Sequence, residues 1–180
     1  NAFFRQEYPA PAPTMDLDAA REHLAQAKRE LGEIPALVLL TGDNPLSSLQ
    51  SEYFQQVLRK NLGLDVRIDK QIFKQRLAKM TSGDFDMVMA GWGPDYDDPL
   101  TFGDLFASWN PNNRGMYANA ELDANVEIAK TSLDPKTRMD AFGEIQRILI
   151  EDAAVLPNYE RGSTFVVNPA MKGVVRRAVG

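Results

Sequence analysis

The sequence predicts an α/β fold in which a largely parallel or mixed sheet is covered by helices on both faces. Two observations lead there. Across residues 36–91, short apolar runs alternate with segments of helical period in the order β-α-β-α-β. Connections long enough to hold a helix suit right-handed crossovers between parallel strands. The length agrees, because 180 residues with 44% hydrophobic content are enough for one domain with a real core.

The elements follow in order. Residues 1–15 are expected to be a tail or linker, since Pro9, Pro11 and Pro13 alternate with alanine and resist helix formation. Residues 16–175 are expected to form a single α/β lobe, with 176–180 a truncated tail. Asp16 or Thr14 can cap a first helix whose apolar stripe is Leu17, Ala20, Leu24, Ala27 and Leu31, and Gly32 stops it. His23 lies off that stripe and is expected at the surface. Ala36–Thr41 is the first buried strand. Asn44 as cap and Pro45 at the first helical position open a helix with Leu46, Leu49, Tyr53, Val57 and Leu58 turned inward, and Gly63 ends it. Leu64, Val66 and Ile68 alternate with Asp65, Arg67 and Asp69, a strand with one solvated face. A helix with Phe73, Leu77 and Met80 closes at Ser82-Gly83. The run Phe85–Gly91 is the third strand.

Beyond it, Leu100–Ala107 suits a short helix, and Trp109–Gly115 is a loop by composition. Leu122, Val126 and Ala129 mark another helix. Asp134-Pro135 starts a last one, with Met139, Phe142, Ile145 and Leu149 on its buried stripe. Ala154–Tyr159 and Ser163–Val167 suggest two short extended segments, paired as a hairpin, with Pro157 at an edge.

Composition narrows the chemistry. A net charge of -5 and a pI near 5.0 argue against nucleic acid as a partner. Cysteine is absent, which excludes a disulfide framework, a thiol nucleophile and a zinc-thiolate site. The single histidine, His23, excludes a multi-histidine metal site within the chain. No apolar stretch approaches the roughly 18 residues that span a bilayer. The start, Asn1-Ala-Phe-Phe-Arg5, is no signal peptide.

The richest stretch is Asp84–Leu100. A buried strand runs into Trp92, two glycines and a set of carboxylates, Asp95, Asp97 and Asp98, with Asp104 close behind. In α/β proteins such a strand end presents a binding site, and this one suits a cation. The turn after the first strand, Thr41-Gly-Asp-Asn-Pro45, lacks a phosphate-binding glycine pattern. Asp95-Tyr-Asp97-Asp98 starts like a calcium loop, but Leu100 stands where its glycine is required. Asp97, Asp98 and Asp104 suit caps and turns. Asp95 differs: it follows Trp92-Gly93-Pro94 at the mouth of the strand, where a lone carboxylate beside an aromatic ring suits a monovalent ammonium. Gly91 and Gly93 flank Trp92 and leave room for another backbone.

These residues resemble a known family. Phe85-Asp-Met-Val-Met-Ala-Gly-Trp-Gly-Pro-Asp-Tyr-Asp-Asp-Pro99 is similar to the signature of bacterial oligopeptide- and dipeptide-binding proteins of ABC importers, the extracellular solute-binding proteins of family five. Asp18-Ala-Ala-Arg-Glu-His-Leu-Ala-Gln-Ala27, Lys60-Asn-Leu-Gly-Leu-Asp-Val66, Asp134-Pro-Lys-Thr-Arg138 and Ile145–Pro157 resemble further parts of it. The likeness extends over residues 16–175.

The resemblance implies a periplasmic-binding-protein-like (type II) lobe, the second of two, with the tail at 176–180 leading towards a hinge and the first lobe missing. The chain is then a piece of a longer, extracytoplasmic receptor, held in the periplasm or lipid-anchored outside the cell membrane. It would be a binding module and not an enzyme, with no catalytic residue, cofactor or metal. Its implied partners are a peptide or other small solute, the first lobe and the permease subunits. Asp95 would anchor the peptide α-ammonium. The backbone around Gly91, Trp92 and Gly93 would pair with the peptide as an added strand, and Trp92 and Tyr96 would line the site. Where some oligopeptide binders carry an arginine and a histidine for the peptide carboxylate, this chain has Met89 and Ser47. Two alternatives stand beside this reading. One is a receptor for oligosaccharide or another non-peptide solute, with Trp92, Tyr96, Trp109 and Tyr117 stacking on sugar. The other is a carboxylate glycosidase, which needs two carboxylates about 5–10 Å apart in one cavity.

Overall fold

The computed structural model describes residues 2–10, 15–160, 162 and 165–174. In chain order the elements are α1 (Ala2–Glu7), α2 (Leu17–Leu31), β1 (Leu37–Gly42), α3 (Pro45–Leu62), β2 (Val66–Gln71), α4 (Phe73–Ser82), β3 (Met87–Val88), α5 (Leu100–Gly103), a 3-10 turn at Asp104–Phe106, α6 (Ala120–Thr131) and α7 (Pro135–Glu151). The described residues form two compact units, one from 13–91 and the other from 92–180 together with 1–12.

The first unit is the predicted β-α-β-α-β core. Its parallel strands lie in the order β2-β1-β3, with Leu37 opposite Val66 and Leu39 opposite Met87. The second crossover returns over β1, so right-handed connections put α3 and α4 on opposite faces of the sheet. Local signals set the helix ends as expected. Asp16 accepts from the N–H groups of Asp18 and Ala19, Asn44 accepts from Ser47 N ahead of Pro45, and Gly63 and Gly83 close α3 and α4 at φ +66° and +73°. Leu39, Leu40 and Val66 are buried in the sheet.

Three expectations for this unit are corrected. The stripe Leu46, Leu49 and Tyr53 of α3 faces outward, each more than half exposed, and Ser51 is the buried residue instead. Ser51 lies two positions from Leu49 and Tyr53, hence on the other side of the helix. Its hydroxyl donates back to the carbonyls of Ser47 and Ser48, so a small, satisfied side chain lets α3 approach the sheet. Gln55 adds a bond to the Val66 carbonyl at 2.6 Å. Phe73 and Leu77 of α4 are likewise exposed. The third strand is shorter than Phe85–Gly91, because Asp86 pairs with Val38 through its side chain as well as its backbone, at 2.7 and 3.1 Å. His23 is exposed, as expected.

The second unit is helical. Leu122, Val126 and Ala129 of α6 pack against Ala141, Phe142, Ile145, Ile148 and Leu149 of α7, all buried, the faces that period predicts. The start of the chain holds a helix where a tail or linker is expected. Phe4 of α1 packs on this core, and the Tyr8 hydroxyl donates to Asp140. Gly143 makes room for the Tyr8 ring, which any side chain there would strike. Pro9 lies just beyond the end of the helix. The expected hairpin after α7 does not form among the described residues; Arg161, Ser163 and Thr164 lie outside them, as do residues 175–180. Among the described residues no helix is long and apolar enough to cross a membrane.

Candidate functional site

The acidic loop is organised by a residue that sequence reasoning missed, Thr101. Its hydroxyl oxygen accepts from Trp92 Nε1 at 3.4 Å and from the Asp95 backbone N–H at 3.1 Å. Thr101 is only 3% exposed, on the first turn of α5. One buried hydroxyl therefore holds the indole of Trp92 and the main chain of Asp95 in fixed relation. The only sequence signal was a threonine just after Asp98-Pro99, where a polar side chain can turn back on the preceding loop.

The carboxylates separate. Asp98 accepts from Leu100 N at 2.9 Å, the predicted cap, and from Arg138 Nη2 at 2.7 Å, a partner 40 residues away on α7. Arg138 also donates to the Ala129 carbonyl and lies 5.1 Å from the ring centroid of Phe142. The base of the loop is thus tied to the helical core. The Arg138 hydrogen bond, with that from Leu100 N, holds the Asp98 carboxyl below the usual carboxylate range against the opposing effect of burial.

A lowered carboxylate stabilises the fold while it is ionised. The contribution is complete above the unfolded carboxylate value and fades as pH falls through the lowered folded one, below about pH 4. We expect Arg138→Ala to cost about 1–3 kcal/mol near neutral pH. Urea unfolding at pH 7 and at pH 3 should show a smaller cost in acid, with the share carried by the Ala129 carbonyl and the Phe142 ring remaining. An equal cost at both pH values would mean that Arg138 acts through Ala129 and Phe142 and not through the Asp98 carboxylate.

Asp104 opens the 3-10 turn, as expected of a turn residue, and its carbonyl accepts from Ala107 N. It is half-buried and makes no side-chain cap. Burial pushes its carboxyl up; Lys130 opposes this and Asp95 adds to it. Loss of water raises the Tyr96 phenol too, with Asp104, Asp98 and Asp95 contributing. Asp95 is exposed, and among the described residues its carboxylate has neither an ion pair nor a hydrogen bond. Asp97 is exposed as well, but no bond fixes its backbone in the way Thr101 fixes that of Asp95. Trp92 and Tyr96 are 40% and 44% exposed. Nothing lies within 4 Å of where a side chain would start at Gly91 or Gly93, so both backbones are open to approach.

Of the other two aromatic candidates, Trp109 is 49% exposed and Tyr117 is partly buried. Lys130 sits 5.8 Å from the ring centroid of Trp109. Tyr117 is partly buried, its hydroxyl donates to Asp152 at 2.5 Å, and its phenol is pushed up to about 12 by burial and that carboxylate. Among the described residues no group of three or more His, Cys, Asp or Glu side chains is placed to hold a metal ion.

Comparison with known proteins gives the family and the fold. Residues 1–114 match the family described as bacterial extracellular solute-binding proteins, family 5 Middle. The chain is similar to the dipeptide-binding protein DppE of Bacillus subtilis, 30% identical over 163 residues, covering 89% of this chain and 30% of that protein. Among solved structures it resembles a peptide-binding protein of a peptide ABC transporter, with 36% identity and a TM-score of 0.72 over 77% of this chain and 63% of the other. It also resembles the substrate-binding domain of an oligopeptide ABC transporter from Bacillus anthracis, with 28% identity and a TM-score of 0.77, covering 84% of this chain and 30% of that one. The chain thus spans about 30% of the length of the curated relatives it matches. The type II α/β architecture expected from sequence is that of these neighbours, which are binding proteins and not enzymes.

Proposed function

Since the chain belongs to the bacterial extracellular solute-binding proteins of family 5, we propose that it is the second, ligand-binding lobe of an extracytoplasmic receptor that delivers peptides to an ABC importer. The observation that carries the reading is the Asp95 carboxylate, exposed and unpaired on a loop whose backbone Thr101 fixes beside Trp92. A receptor for extended peptides of varied sequence must grip what all peptides share, the terminal ammonium and the main chain. Asp95 supplies the counter-charge for the first. The open backbones at Gly91 and Gly93 suit strand-like pairing with the second. Tyr96 and Trp92 border the same loop. A first lobe would supply the opposite wall, and closure of the two on the ligand would present the receptor to its permease. The relatives' names and the family's description support a peptide as the solute and a periplasmic or extracellular location.

The test is calorimetric titration of the full-length receptor with a peptide pool, free or N-acetylated. Acetylation removes the ammonium and is expected to weaken binding by about 30-fold or more. Equal binding of both pools would overturn the role of Asp95. Binding of neither would overturn the peptide reading itself.

A further inference from the structure

Among the described residues nothing covers the outward stripe of α3. Leu46, Leu49 and Tyr53 are each more than half exposed. With Gln56 and Lys60 they make one seam along the helix, on the side away from the buried Ser51. Shallow grooves flank Tyr53. One is lined by Leu49, Glu52 and Arg59, the other by Met15, Val57 and Lys60. Adjoining apolar side chains bared in this way mark interaction surfaces on soluble proteins.

The spacing of the seam says what shape covers it. Positions 46, 49, 53, 56 and 60 alternate steps of three and four residues, the spacing with which one helix packs its side chains between those of another. The charges say which helix. Asp43 stands just before α3, and Arg59 and Lys60 stand in its last turn. All three are exposed, and none makes an ion pair among the described residues. When α3 meets a second copy of itself antiparallel about a two-fold axis, Leu49 of each copy faces Tyr53 of the other. The same register sets Asp43 against Arg59, next to Lys60, and symmetry makes that contact twice. A parallel pair would instead put Lys60 beside Lys60. The seam is therefore complementary to itself in shape and charge, in one orientation.

We infer that this seam is an isologous interface through which two copies of the protein pair by antiparallel contact of α3. The inference does not depend on the solute. One helix face per copy buries less than the roughly 800 Å² per partner of a stable complex, so the pair is weak, with a dissociation constant on the order of 10–100 µM.

Sedimentation equilibrium of the full-length receptor from about 1 to 500 µM tests it, the range that brackets such a pair. Wild type should pass from monomer to dimer. Leu49→Glu should weaken the dimer at least about tenfold, because it places a charge at the centre of the seam. Leu49 is exposed, so the urea midpoint at about 1 µM should stay where it is. Arg59→Glu with Lys60→Glu should weaken the dimer roughly 2- to 20-fold, the range for exposed ion pairs made twice. Adding Asp43→Lys to that variant should recover most of the loss. A receptor that stays monomeric to the upper limit would overturn the interface, whether the rest of the receptor covers α3 or leaves it bare. Self-association that Leu49→Glu does not weaken would overturn it too, since the copies would then meet through another face. Loss of the dimer without recovery by the charge exchange would overturn the antiparallel pairing.

Discussion

Asp95→Ala in the full-length receptor is expected to weaken binding of a free peptide by about 2–5 kcal/mol, or roughly 30- to 5,000-fold in Kd. The size of the loss matters as much as its sign. In this chain Asp95 is exposed. An ion pair at an exposed carboxylate contributes at most about 1 kcal/mol, because water screens it and two mobile groups must be ordered. A loss several times larger therefore requires the pair to be enclosed, which a second wall would achieve by excluding water. The same substitution measured on this chain alone should change affinity by less than about tenfold. The acetylated peptide completes a cycle: with its ammonium gone, Asp95→Ala should cost almost nothing further. A large loss with acetylated peptide would mean that the substitution disturbs the loop rather than the charge pair. Asp95→Asn distinguishes these cases too, since it nearly keeps the shape of the side chain and removes the charge, while the backbone bond to Thr101 is available in either variant.

Leu122→Ala should destabilise the chain by about 2–5 kcal/mol, a large part of the stability of an ordinary domain. Leu122 has no exposure and lies in the cluster where α6 meets α7, among Phe142, Ile145 and Leu149. Truncation leaves a cavity between two helices that are also held by Arg138, so the gap cannot close freely. Urea unfolding should move to lower midpoint with an unchanged slope. Leu49→Ala on α3 is the control. Leu49 is 68% exposed, and the change should stay within about 0.5 kcal/mol. A comparable loss at both positions would mean that the α3 stripe is covered in solution.

The binding loop was visible in the sequence as a position, and much less so as a mechanism. Trp92, Asp95 and the flanking glycines stood out because a buried run stops there and unusual residue types crowd together. That Asp98 caps Leu100 was legible, because the partners are two residues apart. That Arg138 shares the same carboxylate was not, because the chain covers 40 residues and two helices between them. Asp104 looked like another turn residue. Its half-burial, and the upward push on its carboxyl, follow from how α5 settles on the helical core.

By itself the sequence determined the features that depend on neighbours within one helical turn or one strand spacing. Asp16, Asn44-Pro45 and Asp134-Pro135 start helices, and Gly32, Gly63 and Gly83 end them, because capping needs only the adjacent peptide groups. The β-α-β-α-β order likewise dictates parallel strands, since crossovers that hold a helix bring successive strands back in one direction. Tertiary structure alone decided which apolar stripes are covered. Period gives the apolar face of α3 but not whether anything packs on it, and the sheet is met by the Ser51 side. It also decided that Tyr8 docks on α7 at Gly143, and that Thr101 meets both Trp92 and Asp95. Each of those outcomes joins groups far apart along the chain, and the free energy that joins them comes from surface buried only once the whole unit has closed.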